Sequence, residues 1–169
     1  MSRRILIALL VVLAAAAGGR EVLSGDDGGG DTARVGDEGR VVKVVDGDTI
    51  AVLVGERREK VRYIGVDTPE TRHASKGVQC FGRAASAFNE RLLRGERVRL
   101  ERDVEERDRY GRLLAYVYRV SDGLFVNAEL VRQGYAQVLT IAPDVRHSAR
   151  FEALAREARR RGRGLWAAC

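Results

Sequence analysis

The chain has 169 residues, 45% of them hydrophobic and 32% charged. That length suits one domain with a real core, and the composition is globular rather than disordered. Thirty lysines and arginines against 24 acids give a net charge of +6 and a pI of about 9.8, which permits nucleic acid as a partner without requiring it.

Ser2-Arg3-Arg4 is a short positive segment, followed by an apolar run from Ile5 to Ala17 and then small residues through Gly19. Thirteen apolar residues are short of the roughly 20 that a membrane span needs. Residues 1–19 therefore read as an export signal, with an uncleaved N-terminal anchor as the alternative. Either way the folded part is expected outside the cytoplasm, secreted or extracytoplasmic. Residues 20–37, rich in Gly and Asp without an apolar period, read as a flexible linker, and 38–169 as the folded domain. Cys80 and Cys169 stand 89 positions apart. Two thiols in an exported chain are expected to be oxidised to a disulfide, two free thiols being the alternative. No Cys/His spacing suggests zinc.

From Gly39 the pattern becomes VVKVVDGDTIAVLVG, two β-branched runs around Asp46-Gly47-Asp48, which predicts a hairpin. A third strand is expected at about 59–66. Residues 81–95 place Ala84, Ala85, Phe88 and Leu92 on one helical stripe, with Gly95 as the stop. Strands follow at 96–101 and 112–120 across a charged loop. Asn127 is expected to cap a short helix over 128–133 that Gly134 ends. A last helix starts at Asp144 or Ser148 and buries Phe151, Leu154, Ala155 and Ala158, with Trp166 beyond it as a plug against the core. The expected fold is α+β: a five-stranded OB-type barrel with one helix inserted after strand three and two C-terminal helices.

The chemistry gathers on Val61–Glu70, VRYIGVDTPE. A strand that carries an arginine and ends in two carboxylates is unusual for packing alone. Pro69 fixes its own φ and pushes Thr68 toward an extended conformation, so Asp67, the Thr68 carbonyl and Glu70 are expected in one defined turn. Hard oxygen donors of this kind suit a hard divalent cation, and the guanidinium fork of Arg62 suits a phosphate. Arg62 and Asp67 have opposite strand parity, so they share a site only if the strand bends, and Gly65 is where the bend is expected. Asp46-Gly47-Asp48-Thr49 and Asp108-Arg109-Tyr110-Gly111-Arg112 sit at other strand ends, where a barrel can bring them to the same place. Each is also compatible with an ordinary turn.

In order, VVKVVDGDTIAVLV, VRYIGVDTPET, KGVQCFGRAASAF, RYGRLLAYVY and NAELVRQGYAQV closely resemble the staphylococcal nuclease family over roughly residues 39–166. The resemblance implies a calcium-dependent nuclease that hydrolyses phosphodiester bonds of DNA and RNA. It implies Asp48 and Asp67 as carboxylate ligands of Ca2+, completed by the Thr68 carbonyl. Glu70 is implied to orient or deprotonate the attacking water, and Arg62 and Arg112 to grip the phosphate. Asp46 is expected beside the metal site, with Tyr110 and Lys76 against the substrate. Where the family carries pocket tyrosines after the second helix, this chain has Thr140, Ile141 and Ala142, which implies altered base stacking. His73 and His147 are expected at the surface. No stable protein partner is implied, and a monomer is expected. The competing readings are a non-catalytic OB-fold nucleic-acid-binding module and an exported structural module with a purely structural calcium.

Overall fold

The computed structural model describes residues 36–71 and 77–169. The expected leader, nearly all of the linker, His73 and Lys76 lie outside those residues. The β-branched runs form the meander their pattern predicts: β1 (Asp37–Asp46), β2 (Thr49–Val54) and β3 (Arg57–Tyr63), paired antiparallel in sequence order. β1 starts on the last residue of the expected linker, and Gly47-Asp48 makes the two-residue turn into β2.

β3 does not continue to residue 66 as one strand. It stops at Tyr63, and β4 (Gly65–Asp67) sets off in a new direction. Gly65 makes the break, with φ +79°. A Cβ there would also lie 2.5 Å from the Phe151 ring, so both conformation and space demand glycine. Gly65→Ala is expected to cost about 2–4 kcal/mol, combining left-handed strain with overpacking. Urea denaturation checks this, and an unchanged midpoint would contradict it.

α1 (Gly82–Leu93), β5 (Arg97–Glu101) and β6 (Leu113–Arg119) follow. The five long strands close into a barrel in the order β1-β2-β3-β6-β5, shut by the parallel β3–β6 pair. Ile50, Val52, Val61, Tyr63, Val98 and Leu100 are among the residues that fill its core. The expected OB-type barrel with a helix after its third strand is present. A two-stranded sheet of β4 with β7 (Gln137–Leu139) was not expected, three residues being too few to show an alternation.

α2 (Val126–Arg132), α3 (Ser148–Arg160) and a single-turn α4 (Leu165–Ala168) complete the chain. Several side-chain expectations need correction. The buried stripe of α1 is Gly82, Ala85, Asn89 and Leu93, rotated so that Ala84, Phe88 and Leu92 flank it half-buried. Asn127 does not cap α2. It is buried within the helix, accepting from the Val117 N–H and donating to the Ile64 carbonyl, at 2.9 Å in both cases. It thereby ties α2 to β6 and to the break after β3. Leu165, not Trp166, is the fully buried residue of the C-terminal turn, and Trp166 lies half-buried with the Arg159 guanidinium 4.2 Å over its ring. Cys80 and Cys169 form the expected disulfide.

His147 is half-buried among Tyr116, Phe125 and Phe151 rather than at the surface, and its Nε2 is buried without a hydrogen-bond partner. Burial lowers its pKa from the usual histidine value, with Glu101 opposing and Arg146 and Arg150 adding to the effect. The unfolded chain therefore binds a proton first, so stability is complete above about pH 6.5 and falls as the pH drops through and below that value. His147→Phe is expected to flatten the fall in melting temperature between pH 7 and pH 5. Parallel curves for the two proteins would contradict this.

Candidate active site

Strand register assembles the site. Thr49, just after the β1–β2 turn, pairs with Arg62 on β3, so the turn residue Asp48 sits beside that guanidinium. The break at Gly65 then turns the chain back. One terminal nitrogen of Arg62 donates to the carbonyls of Tyr63 (3.0 Å) and Val66 (2.6 Å). The other bonds Asp67 Oδ1 at 2.8 Å and lies 3.4 Å from Asp48 Oδ2. The bend thus removes the parity conflict between Arg62 and Asp67.

Asp48 is buried, and hydrogen bonds orient its carboxylate: Oδ1 accepts from the Thr49 hydroxyl, and Oδ2 from the N–H and hydroxyl of Thr68 at 2.9 and 3.0 Å. Thr68 in turn fills the space against Gly47, where a Cβ would approach its hydroxyl to 2.6 Å. Asp46 Oδ1 accepts the Gly47 N–H at 2.8 Å, and its Oδ2 accepts from Thr71. The Glu70 backbone N–H donates to Gln79 Oε1 at 2.9 Å.

Two carboxylates, Asp48 and Asp67, therefore flank the Arg62 guanidinium, and Asp46 and Glu70 lie close enough to these two to interact with them electrostatically. The shortage of positive charge shows at Glu70 and Asp67. Partial desolvation of the exposed Glu70 side chain raises its pKa, and the neighbouring carboxylates of Asp46, Asp48 and Asp67 raise it further. Burial also raises Asp67, where Arg62 pulls the other way and Asp48 adds to the rise. An under-neutralised cluster of hard oxygens fits a hard divalent cation. Among the described residues no group of three or more His, Cys, Asp or Glu side chains converges as a metal cage. A set of two carboxylates and one backbone carbonyl does not require one.

Arg62 also lines a cavity of about 770 Å³ whose walls include Tyr110, Arg112, Leu139 and Ile141. Arg112 Nε donates to Asp108 Oδ2 at 2.6 Å, and the N–H groups of Tyr110 and Arg112 donate to Asp108 Oδ1. Partial burial works against the Asp108 charge, but the bonds from Arg112 and Tyr110 outweigh it and hold its pKa below the usual range. Tyr110, 68% exposed, presents its ring at the cavity with the guanidiniums of Arg109 and Arg112 at 4.8 and 5.4 Å from the ring centroid. In the stretch after α2, Leu139 and Ile141 line the cavity, whereas Thr140 and Ala142 do not. The structure thus brings Asp46, Asp48, Arg62, Asp67, Thr68 and Glu70 together and puts Tyr110 and Arg112 in the cavity that Arg62 shares. Lys76 lies outside the described residues.

Sequence reasoning missed three supports. Asn89, buried on α1, accepts from the Tyr63 hydroxyl and donates to the Asp46 carbonyl, at 3.0 Å in both cases. It was findable as the amide on the helical stripe between Ala85 and Leu93. Gln79 and Thr71 carry no comparable signal.

Residues 60–168 match the family model described as "Staphylococcal nuclease homologue". The chain is 39% identical over 127 residues to Thermonuclease of Staphylococcus hyicus, covering 75% of this chain and 74% of that protein. It is 40% identical over 131 residues to Thermonuclease of Staphylococcus intermedius, covering 78% and 77%. It is 38% identical over 126 residues to Endonuclease YncB of Bacillus subtilis, covering 73% of this chain and 59% of that protein.

Proposed function

Because the chain belongs to the staphylococcal nuclease family, we propose that it is a secreted, calcium-dependent endonuclease that hydrolyses phosphodiester bonds of DNA and RNA. The observation that carries this is the convergence of Asp48 and Asp67 on Arg62, with Glu70 beside those carboxylates and Arg112 in the cavity that Arg62 also lines. A purely structural cation site has no use for two arginines facing an open cavity. A non-catalytic binding barrel has no use for four carboxylates at its phosphate site.

In this reading the Asp48 and Asp67 carboxylates and the Thr68 carbonyl would hold the calcium. When bound, the ion would supply positive charge beside the reacting phosphate. Arg62 and Arg112 approach the phosphate from β3 and from the loop before β6, and their donors stabilise the charge that grows on its oxygens. Glu70 takes the proton of the attacking water. Tyr110, Leu139 and Ile141 offer a ring face and apolar surface to a base, a mixed wall in place of stacked tyrosines. The disulfide suits an oxidising compartment.

Cleavage of single-stranded DNA by the purified protein is expected with calcium and not with excess chelator. Undiminished cleavage in chelator would overturn the metal assignment, and DNA binding without cleavage under any divalent metal would favour the binding module.

A further inference from the structure

We propose that the exposed face of α3 and the turn after it form a second contact surface for a polymeric nucleic acid, gripping phosphates beyond the one that is cut. This rests on the reading above that nucleic acid is the substrate. Residues 146–163 hold seven arginines and two glutamates, a net charge of +5, against +6 for the whole chain. The basic surplus is therefore concentrated on one helix and its flanks, which a general preference for arginine does not explain.

Arg146 is paired with Glu101 and Asp103 outside the segment, but the two glutamates inside it do not neutralise the other six arginines. Glu152 faces Arg156 at 3.9 Å, and Glu157 alone serves both Arg160 and Arg161. Phe151, Ala155 and Ala158 are the buried side of α3, so Arg156, Arg159 and Arg160 fall on its exposed side with helical spacing. Thirteen residues of helix are about 20 Å long. That is close to six nucleotides of a strand at about 3.4 Å each.

Both ends of α3 connect to the site. Four residues before it Asp144 lines the cavity shared by Arg62 and Arg112, and Phe151 packs on Gly65 at the start of β4. At its far end the chain runs on to Cys169, bonded to Cys80, next to the Gln79 that holds the Glu70 backbone. A strand leaving the cavity along α3 meets these arginines. An anionic membrane is the other polyanion to consider, but a helix that lies on lipid needs large apolar anchors on its exposed face. The exposed residues of α3 are Ala149, Arg150, Glu152, Ala153, Arg156, Arg159 and Arg160, with no such anchor.

The test is the triple variant Arg156→Gln, Arg160→Gln, Arg161→Gln in the full chain. Binding to a labelled 30-nucleotide single strand is measured in chelator across a range of KCl, and kcat/KM is measured on a nitrophenyl phosphodiester of thymidine with calcium. Losing three phosphate contacts should reduce the salt slope by about 2 and weaken low-salt binding by roughly tenfold or more, with the small substrate unaffected within about twofold. An unchanged slope and affinity would overturn the proposal, as would an equal loss on the small substrate, which would place the effect in the fold. Loss of binding to anionic vesicles with DNA binding retained would overturn it in favour of a membrane partner. Wild-type protein that neither binds the strand nor cleaves the small substrate would remove the underlying functional reading, and this surface with it.

Discussion

Replacing Glu70 with glutamine is expected to lower kcat on single-stranded DNA by on the order of 10²- to 10⁴-fold, the range that one positioned general base supplies. The fold should be untouched. Glu70 is anchored through its backbone N–H to Gln79, a bond that glutamine keeps, and its side chain is exposed enough to accept an isosteric amide. Removing one of four clustered carboxylates also relieves repulsion on Asp67 and Asp46, so the melting temperature should hold or rise. A variant with full activity would take the proton-transfer role away from Glu70. One that is inactive because it is unfolded would show it in the melting curve.

The second large effect is expected at Arg62. Lysine keeps the charge but not the fork, and Arg62 uses both terminal nitrogens at once, one on the Tyr63 and Val66 carbonyls and the other on Asp67 and Asp48. Arg62→Lys should lower kcat/KM by about 10²-fold or more. It should also destabilise the protein by about 1.5–3 kcal/mol, because hydrogen bonds from a charged donor are lost where the chain doubles back. Measuring both quantities separates the two roles. An active enzyme of unchanged stability would contradict the geometry described here.

Much of the architecture was legible because its signals are local. Alternating β-branched runs marked the barrel strands, Asp46-Gly47-Asp48 marked the β1–β2 turn to within one residue, and apolar spacing marked α1 and α3. The bend at Gly65 was readable from a conflict: Arg62 and Asp67 belong together chemically but sit on opposite faces of a straight strand. What stayed hidden depends on contacts distant in sequence. β7 is three residues long and exists because β4 offers it an edge. Asn127 looked like a cap by its place before a helix, yet its amide is used across 63 residues to satisfy the Ile64 carbonyl. Trp166 looked like a plug by its size, but packing gave that position to Leu165 and left the indole for Arg159.

The same division holds within the site. Asp67, Thr68 and Glu70 are neighbours in the chain, so their grouping could be read directly. Asp46, Asp48 and Arg112 were legible only as residues at strand ends that a barrel can bring together, their roles being implied by resemblance, and the β1–β2, β2–β3 and β3–β6 registers give the physical reason for their positions. Asn89, which holds the Asp46 carbonyl from α1, belongs to an element whose sequence shows only a helix with one polar residue on its buried side.

The most direct test follows binding and cleavage of one labelled single-stranded oligonucleotide by the wild-type protein and by Glu70→Gln, in calcium and under single-turnover conditions. The site described here predicts that both proteins bind within a fewfold of each other and that only the wild type cleaves at an appreciable rate. Equal cleavage by both, or binding by both with cleavage by neither, would contradict it.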